Sequence, residues 1–420
     1  MGYERSLALF QEQLNLVPGG SQTNAKRPSA FAYGAYPIYV RKARGCRIED
    51  VDGNGYIDFI HGCGPIVLGY RYPAVDRAVR RQLRRGIISG LLYPVETEAA
   101  RLLCEMVPCA EMVRFLKGGG EATAAAARIA RACTGREVIL NCGYRGWPDV
   151  WAAAVNSRGV PECLTRLTVT YPFGDFPATE KLLEQHRGKV AAVFISVLGE
   201  IPEEGYLQAL CDLAHEHGAL FVMDEVITGF RLAPGGAQEY FGVVPDLACF
   251  AKAMANGMPV SAVAGKAEHM KVMADLAITV TYGGEALSLA AAVATMMEVR
   301  ERNVPTHLWH MGRRLMVGME KAAAENAIPF RCGGFAPAHH MQFLDLEPQE
   351  KLHVWMFFLQ ETAARGVLFR RGSMNAMTFS HTERDIDRVV EQSAEVFRLL
   401  KPLWKTPELA RRIRARESYA

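Results

Sequence analysis

Asp224-Glu225-Val226-Ile227-Thr228-Gly229-Phe230-Arg231 is the stretch on which the fold turns, read together with Lys252. An apolar run, Ala219 to Met223, leads into Asp224 and predicts a buried strand with the acid at its carboxyl end. A second apolar run, Leu247 to Phe250, ends just before Lys252. In an open parallel sheet, ligands bind outside the carboxyl ends of the strands. A lysine delivered there can form an imine with a carbonyl, and a carboxylate can keep a ring nitrogen protonated. Pyridoxal phosphate needs that pairing. Two other readings stand beside it: an Asp-Glu pair after a strand can hold magnesium, and most lysines are simply solvated.

The 420 residues exceed what one core usually supports, so two lobes are expected. Half the residues are hydrophobic, 22% are charged, and the net charge is +3, an ordinary soluble balance. The basic cluster Arg411, Arg412, Arg414 and Arg416 alternates with apolar residues and reads as a solvated helix face. Without a broad basic stripe and interleaved aromatics, nucleic acid is not an expected partner. Ten cysteines lack CxxC or metal-ligand spacing and read as reduced thiols of a cytoplasmic enzyme, with no metal site. Glu4 and Gln11 to Gln13 interrupt any signal-peptide run, and no stretch reaches the ~20 apolar residues of a membrane span. Met1-Gly2 with Ser6 matches a myristoylation pattern too short to carry weight.

Upstream, a helix is expected over Glu4 to Leu16, then a small antiparallel meander over Tyr36 to Phe59 that turns at Gly45 and at Asp52-Gly53-Asn54-Gly55. Helices are expected over Pro73 to Arg85 and Glu96 to Met106. Arg114 to Ala122 reads as a short strand, the turn Gly118-Gly119-Gly120 and a helix start. Such a turn exposes backbone N–H groups at the positive end of a helix, where an anion is favoured. It is not a Walker loop, and a tight turn without a ligand is the competing reading. Short apolar runs then alternate with helices: Val138 to Leu140, Val190 to Val197, and a helix over Tyr206 to His217. This rhythm predicts an α/β lobe with a mostly parallel sheet covered on both faces. His215 and His217 lie two apart and do not share a helix face, so they are not read as a metal pair. Thr281 sits in a polar loop before the helix Ala286 to Arg300. Beyond Pro305, helices over His307 to Ala324, Glu350 to Arg365 and Thr382 to Leu400 alternate with strands at Ala338 to Phe343 and Val367 to Arg370. That is a smaller α+β lobe.

Together these segments resemble the class III pyridoxal-phosphate aminotransferases, in the glutamate-1-semialdehyde aminomutase branch. The likeness runs from Pro18-Gly19-Gly20 to His381-Thr382. Val51 to Phe59 is similar to the family's DGN-x-YIDF hairpin, and Asp224 to Arg231 to its DEV-x-TGFR stretch. The resemblance implies a fold type I architecture: residues 1–59 joining the small domain, 60–300 as the large cofactor domain and 301–420 as the small C-terminal domain. It implies that Asp224 pairs with the pyridine nitrogen, Val226 and Tyr144 flank the ring, and Lys252 is the Schiff-base lysine. It further implies that Gly118, Gly119, Gly120 and Thr281 hold the phosphate, Thr281 from the neighbouring subunit of a homodimer.

Departures narrow the likeness. Gly118 to Glu121 replaces Ser-Gly-Thr-Glu, Tyr144-Arg145-Gly146 replaces Tyr-His-Gly, and Gly283 to Ala286 replaces Ser-Gly-Asn-Pro. Loss of the hydroxyls leaves backbone N–H groups as the phosphate donors of the glycine turn. The combination GGGEA, GYRGWPD and GGEALSLAAA resembles the aminotransferases that install the 6′-amine of aminoglycoside antibiotics. That resemblance implies an amino acid donor, glutamate, and an oxidised amino sugar as acceptor. A polycationic substrate needs local acids, for which Glu200 and Glu285 are candidates. Arg370 and Arg371 are candidate clamps for the donor's carboxylate. The alternatives are an epimerase or aminomutase using the same cofactor, and a non-catalytic or nucleotide-binding protein using the glycine turn.

Overall fold

The computed structural model describes residues 2–155 and 158–416; Met1 of the short myristoylation match lies outside them. The chain divides into two compact units: residues 1–72 with 307–420, and residues 73–306. The expected boundaries, 59/60 and 300/301, lie 13 and 6 residues before those of this division. Strands are numbered in chain order.

The first unit opens with the helix Glu4–Leu16 and the meander β1 (Val40–Arg44), β2 (Arg47–Asp50) and β3 (Gly55–Asp58). Asp50 shapes the turn before β3: its carboxylate accepts from the backbone N–H groups of Asp52 and Asn54, and from the Tyr56 hydroxyl. That local bonding is why an Asp-Gly-Asn-Gly sequence reverses the chain here.

The second unit contributes β4 (Met112–Leu116), β5 (Val138–Cys142), β6 (Thr168–Thr170), β7 (Val190–Ile195), β8 (Leu220–Glu225), β9 (Leu247–Phe250) and β10 (Ser261–Gly265). They form one sheet in the order β4-β10-β9-β8-β7-β5-β6. β6, β5, β7, β8 and β9 pair in parallel, while β10 pairs antiparallel with both β9 and β4. The central strands β7, β8 and β9 are buried throughout, and Phe194, Phe221 and Phe250 are fully enclosed. Each such side chain contributes about 1.5–3 kcal/mol of burial. The helix Gly119–Thr134 presents Ala122, Ala125, Ala126, Ile129 and Ala130 to this core.

The chain returns to the first unit with β11 (Phe330–Phe335), β12 (Ala338–Phe343), β13 (Val367–Leu368) and β14 (Asn375–Ala376). Two sheets result, β1-β2-β3-β13 and β11-β12-β14. The helices Pro348–Ala364 and Glu383–Leu400 supply much of the apolar core. Thr382 caps the latter, its hydroxyl oxygen accepting from the Asp385 N–H. No described helix is long and apolar enough to cross a membrane.

Candidate active site

Strand register brings distant residues to one rim of the large sheet. Asp224 of β8 lies opposite Cys249 of β9, and Cys142 of β5 lies opposite Ile195 of β7. The loops leaving these strand ends carry Tyr144 and Arg145, Glu200, Val226, and Lys252. β4 ends at the same rim and feeds the glycine turn, because Leu116 pairs with Ser261 at the start of the reversed strand β10.

Asp224 is 7% exposed. Its Oδ1 accepts from the backbone N–H of Val226 at 3.0 Å, and its Oδ2 accepts from an Arg145 guanidinium N–H at 2.9 Å. Glu225 does different work. Strand side chains alternate between faces, and the Glu225 carboxylate accepts from the N–H groups of Ala237 and Gln238, at 2.8 and 2.9 Å, and from the Thr228 hydroxyl. Burial pushes its carboxyl upward despite those donors. The magnesium reading of the Asp-Glu pair fails on this ground, since the two carboxylates serve separate sites. Arg231 is also structural: it is fully buried, Nε donates to the Ile227 carbonyl, and burial lowers its guanidinium to about 10.

Lys252 follows β9 in a short turn, Lys252–Ala255, with φ at 42°. A left-handed backbone at a residue other than glycine is uncommon, and such conformations gather at functional sites. The turn Gly118 to Gly120 begins the helix Gly119–Thr134. A methyl on Gly119 would stand 2.9 and 3.0 Å from the two Val226 Cγ atoms, and one on Gly120 would stand 3.0 Å from Pro148 Cδ. Glycine lets the helix start lie directly against Val226 and the Arg145 loop. The Gly118 N–H is not a free phosphate donor as expected: with the Lys117 N–H it donates to Glu121 Oε2, at 3.1 and 2.9 Å. The amides of Gly119 and Gly120, with no carbonyl one turn earlier, are the ones left for an anion.

The remaining candidates divide. Tyr144 is 74% exposed on the loop after β5. Thr281 and Glu200 are exposed loop residues, and the Glu200 charge is felt at Cys142. Glu285 is corrected by the structure. It caps the helix Ala286–Glu301, accepting from the Leu287 and Ser288 N–H groups and the Ser288 hydroxyl, and pairs with Lys117 Nζ at 3.0 Å. A carboxylate so committed has no capacity for a cationic substrate. Arg370 belongs to the first unit, where its N–H donates to Asn375 Oδ1; Arg371 donates to the Ser29 carbonyl. His215 pairs with Asp246 at 2.7 Å, and among the described residues no cluster could hold a metal.

Two residues with local work had been given none. Arg145 is one; its signal was the departure from Tyr-His-Gly. Ser261 is the other, its hydroxyl donating to the Gly118 carbonyl at 2.8 Å. No sequence pattern announces it.

The chemistry of this set fits pyridoxal phosphate. A buried carboxylate, an amine on a strained turn, a β-branched side chain and two helix-start amides occupy one rim, and the glycines leave no Cβ between the last two. The comparisons agree. The aminotransferase class-III family profile matches residues 29–382. The chain is 34% identical to the glutamate-1-semialdehyde 2,1-aminomutase of Syntrophobacter fumaroxidans, over 96% of this chain and 99% of that protein. It is 32% identical to the 3-aminobutyryl-CoA aminotransferase of Cloacimonas acidaminovorans, over 94% and 98%. Among solved structures, the pyridoxal-phosphate form of the FumI protein of Sphingopyxis sp. MTA144 superposes with a TM-score of 0.89 at 26% identity, covering 94% of this chain and 96% of that one. An omega-transaminase from Sphaerobacter thermophilus gives 0.85 at 28% identity, covering 94% and 97%.

Proposed function

We propose a specific role on one premise: this chain belongs to the class-III aminotransferases and works with pyridoxal phosphate. The role is transfer of an amine from an amino acid, glutamate, to an oxidised amino sugar of an aminoglycoside. The observation that carries it is the sequence of three loops, GGGEA at Gly118, GYRGWPD at Gly143 and GGEALSLAAA at Gly283. With Glu285 engaged as a helix cap, exposed Glu200 is the acid left to meet a cationic acceptor. Arg370 is the proposed clamp for the donor's carboxylate, which a guanidinium binds bidentately.

Bound pyridoxal phosphate supplies the carbonyl that takes the amine and the ring that accepts the electron pair. Asp224 holds the proton on the ring nitrogen. Lys252 Nζ takes the proton from the amine-bearing carbon of the donor and, in the second half-reaction, delivers one to the acceptor carbon. Val226 and Tyr144 confine the ring, and the amides of Gly119 and Gly120 hold the phosphate. Thr281, exposed on its own subunit, is proposed to complete the phosphate site of a partner subunit in a homodimer.

Aminomutase chemistry is the second reading, favoured by the 34% identity to a glutamate-1-semialdehyde 2,1-aminomutase. Incubation of the holoenzyme with an amino sugar and 2-oxoglutarate separates the readings. Transfer predicts stoichiometric glutamate that disappears when the keto acid is omitted. Solvent deuterium entering the sugar with no acceptor present would favour internal rearrangement. Neither product, from any amino sugar, would overturn the amino-sugar assignment.

A further inference from the structure

The Arg145 side chain is fully enclosed beside the 7% exposed side chain of Asp224. Of its guanidinium nitrogens, one donates to Asp224 Oδ2 at 2.9 Å and one to the Cys142 carbonyl, while Nε is buried with no hydrogen-bond partner. Its Cζ lies 6.0 Å from the centre of the Phe194 ring. Two glycines build this placement. Gly146 has φ at 110°, and a methyl on it would come 3.0 Å from Gly120 Cα, so the loop passes directly over the helix start. The Arg145 carbonyl then accepts from the Thr123 hydroxyl at 3.1 Å. The guanidinium is thus aimed at Asp224 by the same backbone contact that forms the glycine cradle.

We infer that Arg145 is a positioning residue for the ring-nitrogen site, clamping the Asp224 carboxylate in one orientation. Guanidinium stays protonated at every working pH, whereas a histidine in this place would lose its charge near neutrality. The inference rests on Asp224 being the partner of the ring nitrogen. Other ionisable groups surround the pair: Cys142 on β5 and Tyr171 after β6 interact with Arg145, Cys249 on β9 interacts with both Arg145 and Asp224, and the Glu200 charge reaches Cys142. Burial pushes the thiols of Cys142 and Cys249 and the Tyr171 hydroxyl upward, so these three stay neutral around the clamp.

The test is cofactor retention, measured by equilibrium dialysis of the full-length holoenzyme and its Arg145→Gln, Arg145→His and Asp224→Asn variants at about pH 5.5 and about pH 8.5. Ratios to the wild type cancel the titrations that all four proteins share. Arg145→Gln is expected to hold pyridoxal phosphate about tenfold more weakly at both pH values, the size of one charge-assisted hydrogen bond. Arg145→His, whose imidazole can carry a charge beside Asp224, should retain the cofactor better than Arg145→Gln at the acid value, with an advantage that does not grow as pH rises. Arg145→His and Arg145→Gln proteins that fold and retain the cofactor as the wild type does overturn the clamp. Should Asp224→Asn also retain the cofactor as the wild type does, the assignment of Asp224 fails, and the clamp with it.

Discussion

A methyl group tests the cradle at residue scale. Gly119→Ala would push a carbon to 2.9 Å from Val226 Cγ1, and Val226 is itself held through its N–H by Asp224. Overpacking of this kind costs about 1–3 kcal/mol. Urea unfolding of the variant is expected to show that loss, together with weaker cofactor retention. Gly90→Ala, where an added methyl meets nothing within 4 Å, should show neither. Equal behaviour of the two variants would mean that the helix start does not need its close approach. The places of Asp224 and Lys252 at strand ends, and of the glycines at a helix start, were legible in the sequence because strand ends and glycine runs leave local signatures. The occupation of Glu285 was not, since a capping glutamate and a substrate-facing one read alike before the helix start is fixed in space.

At the scale of single elements, β12 carries an unusual burden. His339 is fully buried, and burial pushes its imidazole down to about 4. The unfolded chain, titrating near 6.5, binds a proton that the folded state refuses. The neutral ring's contribution is therefore complete above that unfolded value and is lost as pH falls through about 4. His339→Leu should flatten this acid limb by up to ~3 kcal/mol, measured as the difference in unfolding free energy between about pH 7 and about pH 4. An unchanged acid limb would show that some other group sets it. Element positions were mostly visible in the sequence: the helix expected over Glu4–Leu16 and the strands Leu247–Phe250 and Ala338–Phe343 stand where the pattern put them. β10 was not foreseen, since Ser261-Ala262-Val263-Ala264-Gly265 offers small side chains, a weak strand signal. Its reversed direction depends on the sheet as a whole.

For the whole molecule, the proposed sharing of sites has a clean genetic test. If Thr281 acts across the interface, a hybrid dimer of one Lys252→Ala subunit and one Thr281→Ala subunit has one site with both defects and one with neither; if it acts within its own subunit, each site carries one defect. Action across the interface predicts that mixed, co-expressed subunits recover activity that neither parent shows alone. Absence of recovery in a purified hybrid would place Thr281 in its own subunit's site or in none. Exposure of Thr281 and of its neighbour Tyr282, at 58%, is what such an arrangement would require of an isolated chain.

The left-handed turn at Lys252 has a further consequence. That backbone costs a residue with a Cβ about 1–2 kcal/mol relative to the right-handed one, while glycine would adopt it freely. The fold thus opposes a side chain at the very position where the proposed reaction needs a long one. Stability and reactivity pull in opposite directions on a single dihedral angle, and a search for sturdier variants that ignored activity would be drawn toward glycine there. The amine's reach is maintained against the preference of its own backbone.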